Sequence, residues 1–208
     1  MITATDLRNK LAETRQPADP LAVVMPIGAR RWPAGMRERL TAGLTPAGVL
    51  IPLIDRGGSD ISLLLTQRSA ELNTHAGQVS FPGGRMEPDD NNITQTALRE
   101  TQEEVGIAQE GIAVIGYLQP MPTITGYAVT PVVGLVPGGV EIEIDTTEVE
   151  YAFEVPLAFF LDRRNHKLVD RELHGSTVAL VEYHFEDQRI WGATAFIIEK
   201  FIDIIKNN

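Results

Sequence analysis

Hydrophobic residues recur along this chain first in short unbroken runs and later at helical intervals. Residues 49–54 and 61–65 are apolar almost throughout, and Asp55-Arg56-Gly57-Gly58-Ser59-Asp60 separates them. Runs of that length bounded by turn formers predict two buried strands joined as a hairpin. Residues 79–81 predict a short strand leading into Gly83-Gly84. Beyond the glycines the period changes. Ala97, Leu98, Thr101 and Val105 lie on one arc of a helix that can pack on a sheet, and Gly106 is the expected residue just past its end. Residues 113–115 and 129–136 read as further strands, the second with Pro131 as a sign of an edge or bulge. Residues 178–185 and 189–191 predict a hairpin around Glu186-Asp187-Gln188. From 194 to 205, Phe196, Ile197, Phe201, Ile204 and Ile205 recur at helical spacing, the pattern of a core helix. At the other end, Thr5-Asp6 can cap a short helix carrying Leu7 and Leu11 that stops before Pro17 and Pro20. Residues 17–46, rich in Pro and Gly, are expected to wrap the domain. This order predicts an α+β fold, helices layered on a mixed sheet. Residues 1–45 form a helix and wrapping extension of the same domain, and 46–208 its body.

Composition narrows the class. At 208 residues the chain suits one domain of ordinary size. It has no cysteine, which excludes disulfides, thiolate nucleophiles and cysteine-ligated zinc. The first ten residues lack the apolar core of a signal peptide, and no apolar run approaches a membrane span. A cytoplasmic protein is the default expectation. A net charge of -10 argues against sequence-independent nucleic-acid binding, which needs a basic face. Arg30, Arg31, Arg37 and Arg39, near Trp32, form the one basic cluster. It reads as a solvated segment or as a clamp for a phosphate or partner surface.

The acidic residues are less evenly spread. Glu100, Glu103 and Glu104 fall on one side of the helix predicted after the glycine pair. Like charges four apart destabilise a helix by roughly 0.2–0.5 kcal/mol per pair. Near a C-terminus they also oppose the macrodipole by roughly 0.3–1 kcal/mol. The bland reading is a solvated acidic face. The sharper one is a set of oxygen ligands for a hard divalent cation. Paired glycines beside them would let the backbone approach a ligand closely. Arg99, four residues before Glu103, can orient it through an ion pair.

Residues 83–107, GGRMEPDDNNITQTALRETQEEVGI, resemble the Nudix box, G-x5-E-x7-R-E-U-x-E-E-x-G-U with U aliphatic. The second half matches from Arg99 to Ile107, with Thr101 at the first aliphatic position. The first half departs: counting from Gly84, Asp90 stands in place of the first glutamate, and one extra residue separates it from Arg99. The preceding segment is Leu63-Leu64-Leu65-Thr66-Gln67-Arg68-Ser69, then Leu72, then His75-Ala76-Gly77-Gln78-Val79-Ser80-Phe81-Pro82-Gly83-Gly84. It resembles the stretch that marks coenzyme A pyrophosphatases among Nudix enzymes, where the longer box spacing is usual. Asn73 departs from that pattern, which has a basic residue there. Residues 115–127, 130–134 and Trp191-Gly192-Ala193-Thr194-Ala195 are also similar, so the likeness covers about 45–206.

The resemblance implies the Nudix fold, a mixed sheet sandwiched between helices, and metal-dependent hydrolysis of a nucleoside diphosphate linked to another group. Under it, Glu100 and Glu104 would hold Mg²⁺ or Mn²⁺ with the Gly83 carbonyl as an added ligand. Glu103 would activate water, and Arg99 would orient the glutamates. Arg68, His75, Gly77 and Gly84 would meet the substrate, a small coenzyme A-type nucleotide. Arg68 suits a phosphate, although a surface ion pair is its bland reading, and His75 reads equally as a turn-stabilising hydrogen bonder. Glu148 is a further acidic candidate, and Tyr127 offers stacking to a base or to the pantetheine arm. His166, His174 and His184 have no metal-ligand spacing. Two alternatives stay open: a hydrolase of another diphosphate such as ADP-ribose or NADH, and a non-catalytic nucleotide-sensing module. A homodimer is also left open.

Overall fold

The computed structural model describes residues 2–25, 34–70, 77–173 and 176–207. Its strands are β1 (Thr45–Asp55), β2 (Ile61–Arg68), β3 (Val79–Ser80), β4 (Gly83–Arg85), β5 (Ala113–Tyr117), β6 (Met121–Pro122), β7 (Tyr127–Pro137) and β8 (Val149–Pro156). A smaller set follows as β9 (Lys167–Leu173), β10 (Ser176–Phe185) and β11 (Gln188–Trp191). The helices are α1 (Ala4–Leu11), α2 (Ala34–Thr41), α3 (Ile93–Val105), α4 (Leu157–Leu161) and α5 (Gly192–Asn207).

The apolar run of β1 is explained by its place. It pairs in parallel with β7 over its whole length, from Thr45↔Tyr127 to Asp55↔Pro137, and antiparallel with β2. Strands buried on both faces read as continuous hydrophobic runs, because neither side meets water. The main sheet runs β3-β2-β1-β7-β5, with β8 antiparallel to β2, so it is mixed. Successive side chains point to opposite faces. Ile51, Leu53, Leu63, Leu65, Val133 and Leu135 join Leu7 and Leu11 of α1 and Ile198 and Phe201 of α5 in one core. Leu50, Ile54, Leu64, Val132 and Val136 meet Ala97 and Val105 of α3 in the other. Helices on both faces of a mixed sheet are the expected α+β sandwich. The smaller sheet, β11-β10-β9, is antiparallel. Among the described residues no helix is long and apolar enough to cross a membrane.

Several local expectations shift. The helix α1 is capped two residues earlier than Thr5, by Thr3. Its hydroxyl accepts from the Asp6 backbone N–H while Asp6 returns a bond to the Thr3 N–H, a reciprocal capping box. Within the stretch expected only to wrap, α2 is helical. The strand β8 alternates Val149, Tyr151, Phe153 and Val155 with Glu150, Ala152 and Glu154, a period-two pattern that its acidic flank obscures. Pro131 is not on an edge, since β7 lies between β1 and β5. Its carbonyl accepts from Leu118 N–H at 2.9 Å, past the end of β5 and before β6. In extended chain the proline nitrogen points to the same side, so the donor it lacks is missing from this pairing past the end of β5 and not from the β5 ladder itself. Arg30, Arg31, Trp32, the Arg39 side chain, Asn73, His75 and His174 lie outside the described residues.

Candidate active site

The helix α3 is held by its ends and by glycines beneath it. At its start the Asn92 side chain accepts from Gln95 N–H at 3.1 Å. At its end Gly106 is left-handed (φ 73°), as expected. The carbonyls of Glu104 and Val105, which lack helical partners, accept from the N–H groups of Asp145 and Glu143. On the sheet side, a Cβ on Gly48 would stand 2.6 Å from the Ile93 carbonyl oxygen, so the absence of a side chain lets helix and β1 touch.

This places the end of α3 on the wall of a cleft of about 980 Å³, whose lining includes Arg68, Gly83, Gly84, Arg85, Glu100, Glu104 and Glu148. Glu104 is only 2% exposed. Burial pushes its carboxyl up to about 8; the Arg68 charge opposes this, and Glu100 and Glu148 add to it. Its Oε1 lies 3.5 Å from Arg68 Nη1, and its buried Oε2 has no hydrogen-bond partner. Burial raises Glu100 too, with Arg99 opposing. The Glu100 carboxylate rests against Gly84, where a Cβ would come within 2.5 Å of all three carboxyl atoms. A β-bulge between Gln67 and Arg68, where β2 meets β8, brings the second acidic arm close. There Ser69 N–H donates to the Glu148 carbonyl at 2.8 Å.

Arg99 organises the opposite side. Its Nε and Nη2 donate to both oxygens of Asp90 at 3.0 Å, and Nη1 reaches Glu103 at 2.8 Å and Glu100 at 3.0 Å. Asp90 is buried and also accepts from Glu87 N–H and Thr96 Oγ1. Hydrogen bonding to Arg99 above all holds its carboxyl down at about 2. The acid that departs from the box pattern is thus the anchor of the arginine. Its nine-residue separation from Arg99 across a turn gave no helical periodicity to reveal that contact.

A family model for the NUDIX domain matches residues 44–174, more than half of the chain. The protein belongs to the Nudix family. A protein of Photorhabdus laumondii described as "Uncharacterized Nudix hydrolase NudL" is 42% identical over 163 residues, 78% of this chain and 86% of its own length. One of the same description from Yersinia pestis (strain Pestoides F) is 43% identical over 152 residues, 73% of this chain and 75% of its own. Among solved structures, a MutT/nudix family protein from Enterococcus faecalis aligns with TM-score 0.49 at 17% identity, covering 78% of this chain and 62% of that one.

Within this Nudix site the anticipated residues separate. Glu100, Glu104, Gly83, Gly84 and Arg68 line the cleft. Glu103 does not: its side chain is 57% exposed and paired with Arg99. Gly77 (φ 68°) donates its N–H to the Arg68 carbonyl at 3.0 Å. Glu148 and Tyr127 line the cleft. His166 pairs with Glu199 at 3.4 Å and His184 lies 3.5 Å from Glu182, both away from the acidic wall. Arg37 is exposed on α2. Sequence reasoning missed Arg85 and the opposite wall, to which Leu168, Leu180 and Val181 contribute along with the foreseen Trp191-to-Thr194 stretch. Those apolar positions look like ordinary core until β9–β11 fold over the cleft.

The donor set fits a hard divalent ion. All its groups are oxygens, and one buried carboxylate oxygen has no partner, an arrangement that costs about 1–3 kcal/mol. Among the described residues no three acidic or histidine side chains stand close enough to enclose an ion. Mg²⁺ commonly keeps waters and takes substrate oxygens beside one or two carboxylates, so a partial cage suits it.

Proposed function

We propose that this protein hydrolyses the diphosphate of coenzyme A or its derivatives, giving 3′,5′-ADP and (acyl-)4′-phosphopantetheine, with Mg²⁺ or Mn²⁺. One observation carries the reading. Arg68, from the segment resembling coenzyme A pyrophosphatases, meets Glu104 of the Nudix helix in a single cleft. That contact supports a reading in which one cleft serves both substrate recognition and metal binding.

In this proposal Glu100 and Glu104, with the Gly83 carbonyl, hold the ion, which supplies charge neutralisation at the phosphoryl oxygens. Gly84 leaves room for the Glu100 carboxylate. Arg68 presents a fork of donors to a substrate phosphate, and the bond from Gly77 N–H to its carbonyl holds its backbone. Arg99 is a positioning residue, holding Glu100 and Glu103 from its anchor on Asp90. Glu103 is proposed to take the proton from the attacking water, which requires it to leave Arg99. Glu148 is the second candidate for that task because it lines the cleft beside both ligands. Comparing Glu103→Gln with Glu148→Gln identifies the base as the variant whose kcat falls by orders of magnitude with KM nearly kept.

The deciding experiment is a product assay on coenzyme A, an acyl ester, ADP-ribose and NADH, with and without divalent metal. The highest kcat/KM on a coenzyme A form, dependent on metal, is expected. Preference for ADP-ribose or NADH replaces the substrate. Calorimetric binding without turnover at millimolar Mg²⁺ turns the reading toward a nucleotide sensor.

A further inference from the structure

We infer that Tyr151 is a positioning residue of the cleft, setting where Arg68 stands relative to the wall opposite it. This rests on the substrate contact proposed above for Arg68. Arg68 follows the bulge where β2 meets β8. Gln67 faces Tyr151 across that ladder but Arg68 faces Val149, so Glu150 is the extra residue. A bulge disrupts its ladder locally and re-aims the side chain beside it. On the β3 side Arg68 is held by backbone, its N–H donating to the Gln78 carbonyl and its carbonyl accepting from Gly77, each at 3.0 Å. On the β8 side the link just before it is made by side chains. The Tyr151 hydroxyl donates to Gln67 Oε1 and accepts from Gln188 Nε2.

Gln188 opens β11, which belongs to the smaller sheet and runs into the Trp191-to-Thr194 stretch on the opposite wall of the cleft. One phenol oxygen therefore bridges the two sheets. It reaches the residue before Arg68 on one side and the strand leading into the facing wall on the other. Thr194 Oγ1 makes a further tie, donating to the Val79 carbonyl at 2.9 Å. With that tie kept, loss of the Tyr151 hydroxyl frees Gln67 and Gln188 without unseating α5. Glu148 is spared by its own surroundings: the Asp145 carbonyl accepts from the N–H groups of Glu148 and Val149, at 3.1 and 2.8 Å. The loosening falls on Arg68, whose two-point grip on a phosphate depends on its placement. Binding is then weakened more than the chemical step.

The test is a cycle of Tyr151→Phe, Arg68→Gln and the double variant, with Mg²⁺. It uses whichever diphosphate the wild-type protein cleaves best, so that substrate identity and this inference fail separately. Phenylalanine retains the ring, which packs on Phe153 with centroids 5.9 Å apart, and removes the hydroxyl alone. We expect Tyr151→Phe to raise KM about three- to tenfold, the scale of one lost hydrogen bond, with kcat within about twofold of wild type. In the Arg68→Gln background the same change should raise KM by less than about 1.5-fold, because its effect passes through Arg68. Gln188→Ala cuts the chain at its other end, should raise KM in the same direction, and serves if Tyr151→Phe misfolds. An unchanged KM in Tyr151→Phe, whatever its Tm, makes the hydroxyl merely structural and overturns the inference. Effects that multiply in the double variant overturn it too, since Tyr151 then acts apart from Arg68. An unchanged KM in Arg68→Gln itself overturns both the proposed substrate contact and this inference.

Discussion

At Glu104 a carboxylate is almost wholly removed from water while one of its oxygens has no hydrogen-bond partner. Such a group lowers its free energy by taking a proton or a cation. Mn²⁺ at about 100 times its dissociation constant should stabilise the protein by about 2.7 kcal/mol. Glu104→Gln should remove most of that gain, read as the difference in Tm with Mn²⁺ and with EDTA. An undiminished gain would place the ion elsewhere. Asp90 is the opposite case, with its carboxyl held at about 2 against an ordinary 3.8. The folded state therefore binds this proton less readily than the unfolded one. The stability it contributes is fully present above pH 4 and is lost as pH falls through about 2. Asp90→Asn should cost about 1–3 kcal/mol at pH 7 and flatten the fall in stability between pH 4 and 2. Denaturant titrations across that range check the sign.

At the scale of elements, strand β4 and helix α3 meet through Gly84, whose missing side chain is filled by the Glu100 carboxylate. Gly84→Ala should push that carboxylate aside and lower kcat by about 10–100-fold, with the far-UV circular dichroism unchanged. Full activity would show that Glu100 has another place to go. Helix α1 contributes Leu7 and Leu11, each 0% exposed, to the core shared with α5. A Cβ on Gly116 would stand 2.7 Å from Leu11 Cβ, so α1 lies directly on β5. Leu11→Ala should cost about 2–5 kcal/mol. A value near zero, measured by urea unfolding, would make α1 an ornament.

Across the whole molecule, the same packing leads us to propose that residues 1–45 fold with the rest as one unit. Unfolding followed by tryptophan fluorescence and by far-UV circular dichroism should then give coincident transitions. Two separated transitions would divide the chain. The cleft also belongs to this scale. Its acidic wall comes from α3 and from Glu148 just before β8, with Arg68 at the end of β2 beside it, its glycines from β4, and its apolar wall from β9–β11 and α5.

The residue pattern by itself determined strands β1, β2, β3, β5, β7, β10 and β11, the glycine turn, the acidic helix and its Gly106 terminus. Each is dictated by neighbours a few positions away, through periodicity, capping and turn chemistry. The Arg99–Glu103 pair was legible for the same reason, being one helical turn apart. Tertiary structure alone decided that Asp90 anchors Arg99, that Arg68 meets Glu104 across 36 residues, and that Glu103 faces away from the cleft. Burial decided the unlike surroundings of Asp90 and Glu104, because desolvation and ion pairing depend on what the folded chain brings near. Composition treats both as acids; the fold holds one far down and raises the other.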